Sequence, residues 1–91
     1  MSRVVVVAGV EDLTKWEVGF RTHAELFESQ TVTSCQYSMN EGNEVAVLFE
    51  INDLDTYMQI LESPATAEAM AFDGIDRETV KIFVLDKQFT P

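Results

Sequence analysis

The chain has a single cysteine, Cys35. That excludes an intrachain disulfide and a thiolate metal cluster. Cationic residues are scarce: six Lys plus Arg stand against sixteen Asp plus Glu, a formal charge of −10. Nucleic-acid binding needs a cationic footprint, so this balance argues against it. The same balance disfavours docking on anionic lipid. No apolar run approaches the roughly 18 residues of a membrane span, and the first residues carry no signal-peptide pattern. A cytoplasmic protein with no nucleic-acid or membrane partner is expected. With one histidine, the scattered carboxylates form no ligand-spacing signature. Neither a metal nor a cofactor is expected.

What is present is enough for a folded globule. The 91 residues make one domain spanning 1–91, and 46% of them are hydrophobic. About 60–65% of the unfolded surface is buried at this size, so the core is small. There is no internal repeat, linker or low-complexity stretch.

Val4 to Val7 are four consecutive β-branched residues within a strand predicted over Arg3–Gly9. Its two apolar faces predict a central strand. Asp12 is a suitable N-cap for a helix. Leu13, Trp16, Phe20, His23 and Phe27 follow at spacings of three and four. At about 100° per residue they fall within roughly 80° of one another, which predicts one amphipathic helix ending near Ser29. Gly19 inside it signals close packing or mere tolerance. Residues 31–39 alternate, with Thr33, Cys35, Tyr37 and Met39 on one face, and predict a strand near a sheet edge. Residues 40–43 turn the chain, and Glu44–Ile51 returns as the second strand of a hairpin. Asp53 or Asp55 caps the next helix. Ser63 and Pro64 interrupt it as a new N-cap and first helical position, and Gly74 stops the short helix that follows. Val80–Lys87 is the last predicted strand.

The order β-α-β-β-α-β predicts an α+β, ferredoxin-like fold: a four-stranded antiparallel sheet with both helical segments on one face. The other face exposes much apolar surface whichever way the strands are turned. Bare apolar surface on this scale marks an interface, and symmetric pairing is the commonest way to cover it. A homodimer packed sheet against sheet is expected.

His23 lies on the apolar stripe with no carboxylate on its own helix to pair with it. An imidazole facing a pocket serves as general acid or base. The plainer alternative is a core-edge histidine bonded to a backbone carbonyl, a hydroxyl or water. Trp16, Phe20 and Phe27 are pocket walls in the first reading and core in the second, and Tyr37 and Tyr57 are further wall residues. Cys35 reads as a small buried hydrophobe rather than a nucleophile. The acidic residues fall on solvent faces and turns; Glu50, inside a strand, is the exception and is read as sitting at a strand end in water rather than pointing into a cavity. Metal-chaperone domains of this topology need C-x-x-C, which is absent. Val18-Gly19-Phe20-Arg21 echoes an acylphosphatase signature but sits inside a helix, without the glycine-rich loop that binds phosphate.

A set of short motifs stands in a particular order along the chain. Val10-Glu11-Asp12 precedes Trp16, Phe20 and His23, which form W-x3-F-x2-H; Asn43-Glu44-Val45 and Asp53-Leu54 follow. Glu62-Ser63-Pro64, Glu68-Ala69-Met70 and Gly74-Ile75 complete the set. In this order and spacing, over most of its length, the chain resembles the dimeric α+β-barrel superfamily that contains antibiotic-biosynthesis-monooxygenase-like proteins. Within it, the chain is similar to a subgroup of small bacterial proteins carrying the W-x3-F-x2-H motif. It departs at Ser29-Gln30-Thr31, where relatives are expected to carry a glycine. The resemblance implies the fold, a homodimer, and a cavity between helices and sheet in each subunit. Relatives of known activity act there on small, often aromatic or polyketide-like molecules. The superfamily includes cofactor-free oxygenases, haem-degrading enzymes and isomerases, but no catalytic constellation of these groups is matched here.

Two functions therefore stand. In one, the protein binds a small organic molecule among Trp16, Phe20, Phe27, Tyr37 and Tyr57. His23 moves a proton to or from a carbonyl-bearing or phenolic substrate, in cofactor-free monooxygenase-like or isomerase/cyclase-like chemistry. In the other, the same residues are packing, and the protein is a non-catalytic ligand-binding or structural dimerisation module.

Overall fold

Valine-rich β1 (Ser2–Val10) lies at the centre of the sheet in the computed structural model, which describes residues 1–91. It is followed by α1 (Leu13–Phe20), α2 (Ala24–Ser29), β2 (Val32–Met39) and β3 (Glu44–Ile51). The chain continues through α3 (Leu54–Leu61), α4 (Pro64–Phe72) and β4 (Ile75–Val84). The strands are antiparallel in the order β2-β3-β1-β4. This is the expected α+β, ferredoxin-like sheet with β1 and β3 inside. No helix is long and apolar enough to cross a membrane.

Register assigns the faces. Val6 stands opposite Val47 on one side and Ile82 on the other. Val4, Ala8 and Val10 alternate with Val5 and Val7; Val45, Val47, Phe49 and Ile51 alternate with Ala46, Leu48 and Glu50. The first set of each strand is buried in one cluster with Trp16, Phe20 and Tyr57. The second set is only half covered. Phe83 opposite Val5, and Leu85 bonded to Arg3 beyond it, extend that open face and are about half exposed. β2 adds only polar Ser34, Gln36 and Ser38 to it.

The caps are those the sequence predicts. Asp12 accepts from Lys15 N at 3.0 Å and Asp53 from Thr56 N at 3.2 Å. Ser63 caps α4 with Pro64 in its first turn, and Gly74 ends the segment at φ +73°.

Three expectations are corrected. The predicted single helix over 13–29 is two helices, broken at Arg21–His23. Thr22 takes the Gly19 carbonyl with both its N–H (2.9 Å) and its hydroxyl (2.6 Å). That carbonyl would otherwise accept from His23 N, which bonds Phe20 O instead. Phe27 N bonds His23 O, so α2 restarts without displacing the apolar stripe. Secondly, β4 begins at Ile75 rather than Val80 and ends at Val84. Its polar first half, Asp76 to Thr79, carries no apolar alternation. It is held by a register shift at Val7/Gly9, where Thr79 Oγ1 accepts from Gly9 N at 2.7 Å. Thirdly, Cys35 is exposed, because β2 is an edge strand.

The departure at residues 29–31 has a backbone consequence. Thr31 adopts φ +63°, a conformation in which a β-branched residue is strained and glycine is at ease. Its hydroxyl offsets this by accepting from Asp53 N (2.9 Å) and donating to Asp53 O (3.1 Å).

Candidate functional site

A cavity of about 70 Å³ lies between the helices and the sheet. Its walls are mostly apolar, and their aromatic rings form a continuous belt. Trp16 stacks on Phe20 at 4.8 Å between centroids, and Phe20 meets Phe27 at 5.1 Å. Phe27 meets Phe49 at 5.5 Å, and Phe49 meets Tyr57 at 6.0 Å. The stripe on α1 and α2 thus continues through β3 into α3. Roughly 300–1,000 Å³ is usual for a site holding a drug-sized ligand, so this cavity is small by comparison.

His23 is on the cavity wall, and its partner comes from fifty residues away. Nε2 lies 2.9 Å from both carboxylate oxygens of Asp73, which follows α4. The Asp73 side chain is 3% exposed and that of His23 16%. The partner is thus a carboxylate from another element, not the backbone carbonyl, hydroxyl or water of the plainer alternative, and Asp73 is an acidic residue that departs from the expected solvent faces and turns. Burial pushes the Asp73 carboxyl up from its ordinary value, and the hydrogen bond and charge of His23 only partly offset this. When ionised, the carboxylate only accepts. It then fixes the proton on Nε2 and leaves Nδ1 as the ring's bare nitrogen.

Gly19 makes the pair sterically permissible. A Cβ built there would lie 2.1 Å from Asp73 Oδ1. The close-packing interpretation of this glycine is therefore the one the structure supports.

Of the residues singled out in the sequence, Trp16, Phe20, His23, Phe27 and Tyr57 all line the cavity. Tyr37 does not. It packs edge-on against Trp16 and Phe20, and its hydroxyl donates to Glu17 Oε2 at 2.5 Å. That bond to a carboxylate holds the phenol above its ordinary pKa. Desolvation by its neighbours pushes the Cys35 thiol up from its ordinary value, the opposite of an activated nucleophile. No three metal-ligating side chains gather anywhere in the chain.

Sequence reasoning missed Asp73, Gln30 and Thr66. Gln30 Nε2 donates to Thr66 Oγ1 at 3.2 Å, and Thr66 Oγ1 donates to the Ile60 carbonyl at 2.5 Å. Gln30 stands three residues after Phe27, so extending the stripe by one step finds it. Asp73 carries no local signal beyond its place before the helix-stopping Gly74.

Tyr57 is 1% exposed, and burial pushes its phenol up to about 12. An unfolded tyrosine ionises near 10. The stability that Tyr57 contributes is therefore fully present below about pH 10 and lost as pH rises towards about 12, a total of about 3 kcal/mol. Urea unfolding at pH 9 and near pH 12 is expected to show this loss, and Tyr57→Phe is expected to remove most of it. An equally steep decline in Tyr57→Phe would assign the effect to other groups.

No protein-family model matches the chain, and no curated protein is similar to it in sequence. Solved structures are similar in fold. A candidate antibiotic biosynthesis monooxygenase from Bordetella bronchiseptica superposes with a TM-score of 0.74 at 11% identity, over 97% of this chain and 97% of its own. SnoaB, a cofactor-independent oxygenase from Streptomyces nogalater, gives 0.71 at 16% identity, over 98% of this chain and 94% of its own. At3g17210 from Arabidopsis thaliana gives 0.70 at 12% identity, over 100% and 99%. The chain has the fold of the antibiotic-biosynthesis-monooxygenase-like α+β barrel proteins.

Proposed function

We propose that this protein is a cytoplasmic homodimer that binds a small organic molecule in the helix–sheet cavity of each subunit, with His23 moving a proton to or from it. The observation that carries this reading is the buried His23–Asp73 pair on the wall of a mostly apolar cavity. A buried carboxylate is costly unless paired, and acid–base pairs of this kind concentrate at functional sites. Asp73 acts as a positioning residue that holds the Nε2 proton. Nδ1 accepts a proton from a carbon acid or phenol of the ligand, the carboxylate stabilises the resulting imidazolium, and the proton is returned to product. The fold shared with SnoaB favours cofactor-free oxygenase chemistry, with isomerase or cyclase chemistry as the other class.

The homodimer is supported by the open sheet face. Val5, Val7, Ala46 and Leu48 are half covered there, and Phe83 and Leu85 are about half exposed. A second copy placed face to face would bury this patch symmetrically.

The small cavity favours a second reading, a non-catalytic binding or structural dimerisation module. Native mass spectrometry of the freshly purified protein distinguishes them. A dimer carrying a non-covalent small molecule is expected. A monomer at micromolar concentration would count against the pairing. A bare dimer that takes up no neutral aromatic fragment would favour the structural module.

A further inference from the structure

We infer that the cavity takes a neutral, compact and largely apolar molecule whose one hydrogen-bond-accepting oxygen, of the carbonyl type, is held by the indole N–H of Trp16. This rests on the cavity being a ligand site, as proposed above. Trp16 is 1% exposed, and its Nε1 is the one buried side-chain nitrogen or oxygen in the chain that no protein group accepts from or donates to. Three other polar side chains of the cavity are engaged. Gln30 is bonded to Thr66, Thr66 to a backbone carbonyl, and His23 to Asp73. The Tyr37 ring stands edge-to-face to Trp16 at 5.5 Å, and any π contact it offers is second-order beside a true acceptor. A phenylalanine could stack on Phe20 here without burying an unpaired donor. The indole therefore carries a cost that packing alone does not require.

Charge narrows the class. No lysine or arginine lines the cavity, Asp73 does, and the chain carries a net charge of −10. An anion finds repulsion and no lysine or arginine to pair with. A cation leaves the indole N–H facing a positive group. A neutral acceptor satisfies it.

Size narrows it further. The 70 Å³ cavity is smaller than the roughly 150 Å³ apolar cavity that accommodates benzene. The occupant is a small ring, or a wall yields to admit a larger one. The wall best able to yield is α2, which contributes Leu26 and Phe27 and has no fully buried residue.

Three probes of similar shape test the inference: cyclopentanone, methylenecyclopentane (CH2 in place of the oxygen) and cyclopentanecarboxylate. Trp16 is the only tryptophan, so one indole N–H resonance reports the site. Cyclopentanone is expected to bind and move that proton downfield, and methylenecyclopentane to bind without doing so. In Trp16→Phe the ketone is expected to lose about tenfold in affinity relative to the alkene. The carboxylate is expected to bind at least about tenfold more weakly than the ketone. If both neutral rings bind but the indole proton stays still and Trp16→Phe affects them equally, the acceptor assignment is overturned while the cavity remains a ligand site. Carboxylate binding as tight as the ketone's overturns the charge assignment. If neither neutral ring binds, the ligand-site reading falls and this inference falls with it. Should Trp16→Phe fail to fold, the indole resonance of the unmodified protein still decides.

Discussion

Gly19→Ala is expected to destabilise the protein by about 2 kcal/mol, the opposite sign to the one helix propensity alone gives. In an open helix this change gains about 1 kcal/mol. Here the new methyl would sit 2.1 Å from Asp73 Oδ1 and 3.0 Å from its Cγ. The short Asp73 side chain is 3% exposed and pinned by His23, so it cannot move aside without breaking that bond. Overpacking costs about 1–3 kcal/mol, and a lost hydrogen bond to a charged group about 1.5–3. Urea unfolding of the two proteins measures the difference. Repeating the substitution in an Asp73→Ala background should restore the stabilising sign, because the obstructing carboxylate is gone. The single histidine gives an independent readout: its ring nitrogen resonances are expected to lose the carboxylate-bonded Nε2–H signature in Gly19→Ala. Unchanged stability together with an unchanged histidine signature would show that Asp73 yields freely and that the pair is not a fixed unit.

Leu48→Glu is expected to convert the proposed dimer to monomer without unfolding the subunit. Leu48 lies on the open face, between Val5 of β1 and Gln36 of β2 in register, and is partly exposed in the isolated subunit. The lone subunit can therefore solvate a carboxylate there. In a face-to-face pair each subunit would bring one into an apolar contact, on a chain already at −10. Like-charge burial of this kind costs several kcal/mol, a weakening of about a thousandfold. Sedimentation velocity over a concentration series checks it, with circular dichroism to confirm that the fold persists. A dimer that survives this substitution would place the interface elsewhere.

The two substitutions probe features of different legibility. The bounds of β3, the caps at Asp12 and Ser63-Pro64, and the stop at Gly74 all follow from local chemistry: alternation, side-chain acceptors for free N–H groups, and φ preference. The stripe of Leu13, Trp16, Phe20, His23 and Phe27 was legible because helical periodicity survives the break at Arg21–His23. The break itself was not, because it depends on which N–H and hydroxyl reach the Gly19 carbonyl first. The early part of β4 was hidden because an edge strand needs no apolar alternation to be held by its neighbour.

By itself the sequence determined the α+β topology, the central place of β1 and β3, the excess of apolar sheet surface, and five of the residues that line the cavity. These depend on periodicity and composition, which are properties of neighbouring residues. Only the tertiary structure decided that Asp73 pairs with His23, that Gly19 makes room for it, that Tyr37 turns away to Glu17, and that the Trp16 N–H has no acceptor. Each of these depends on which polar atoms meet after packing. The His23–Asp73 contact joins residues fifty apart, a separation at which no local pattern specifies a partner.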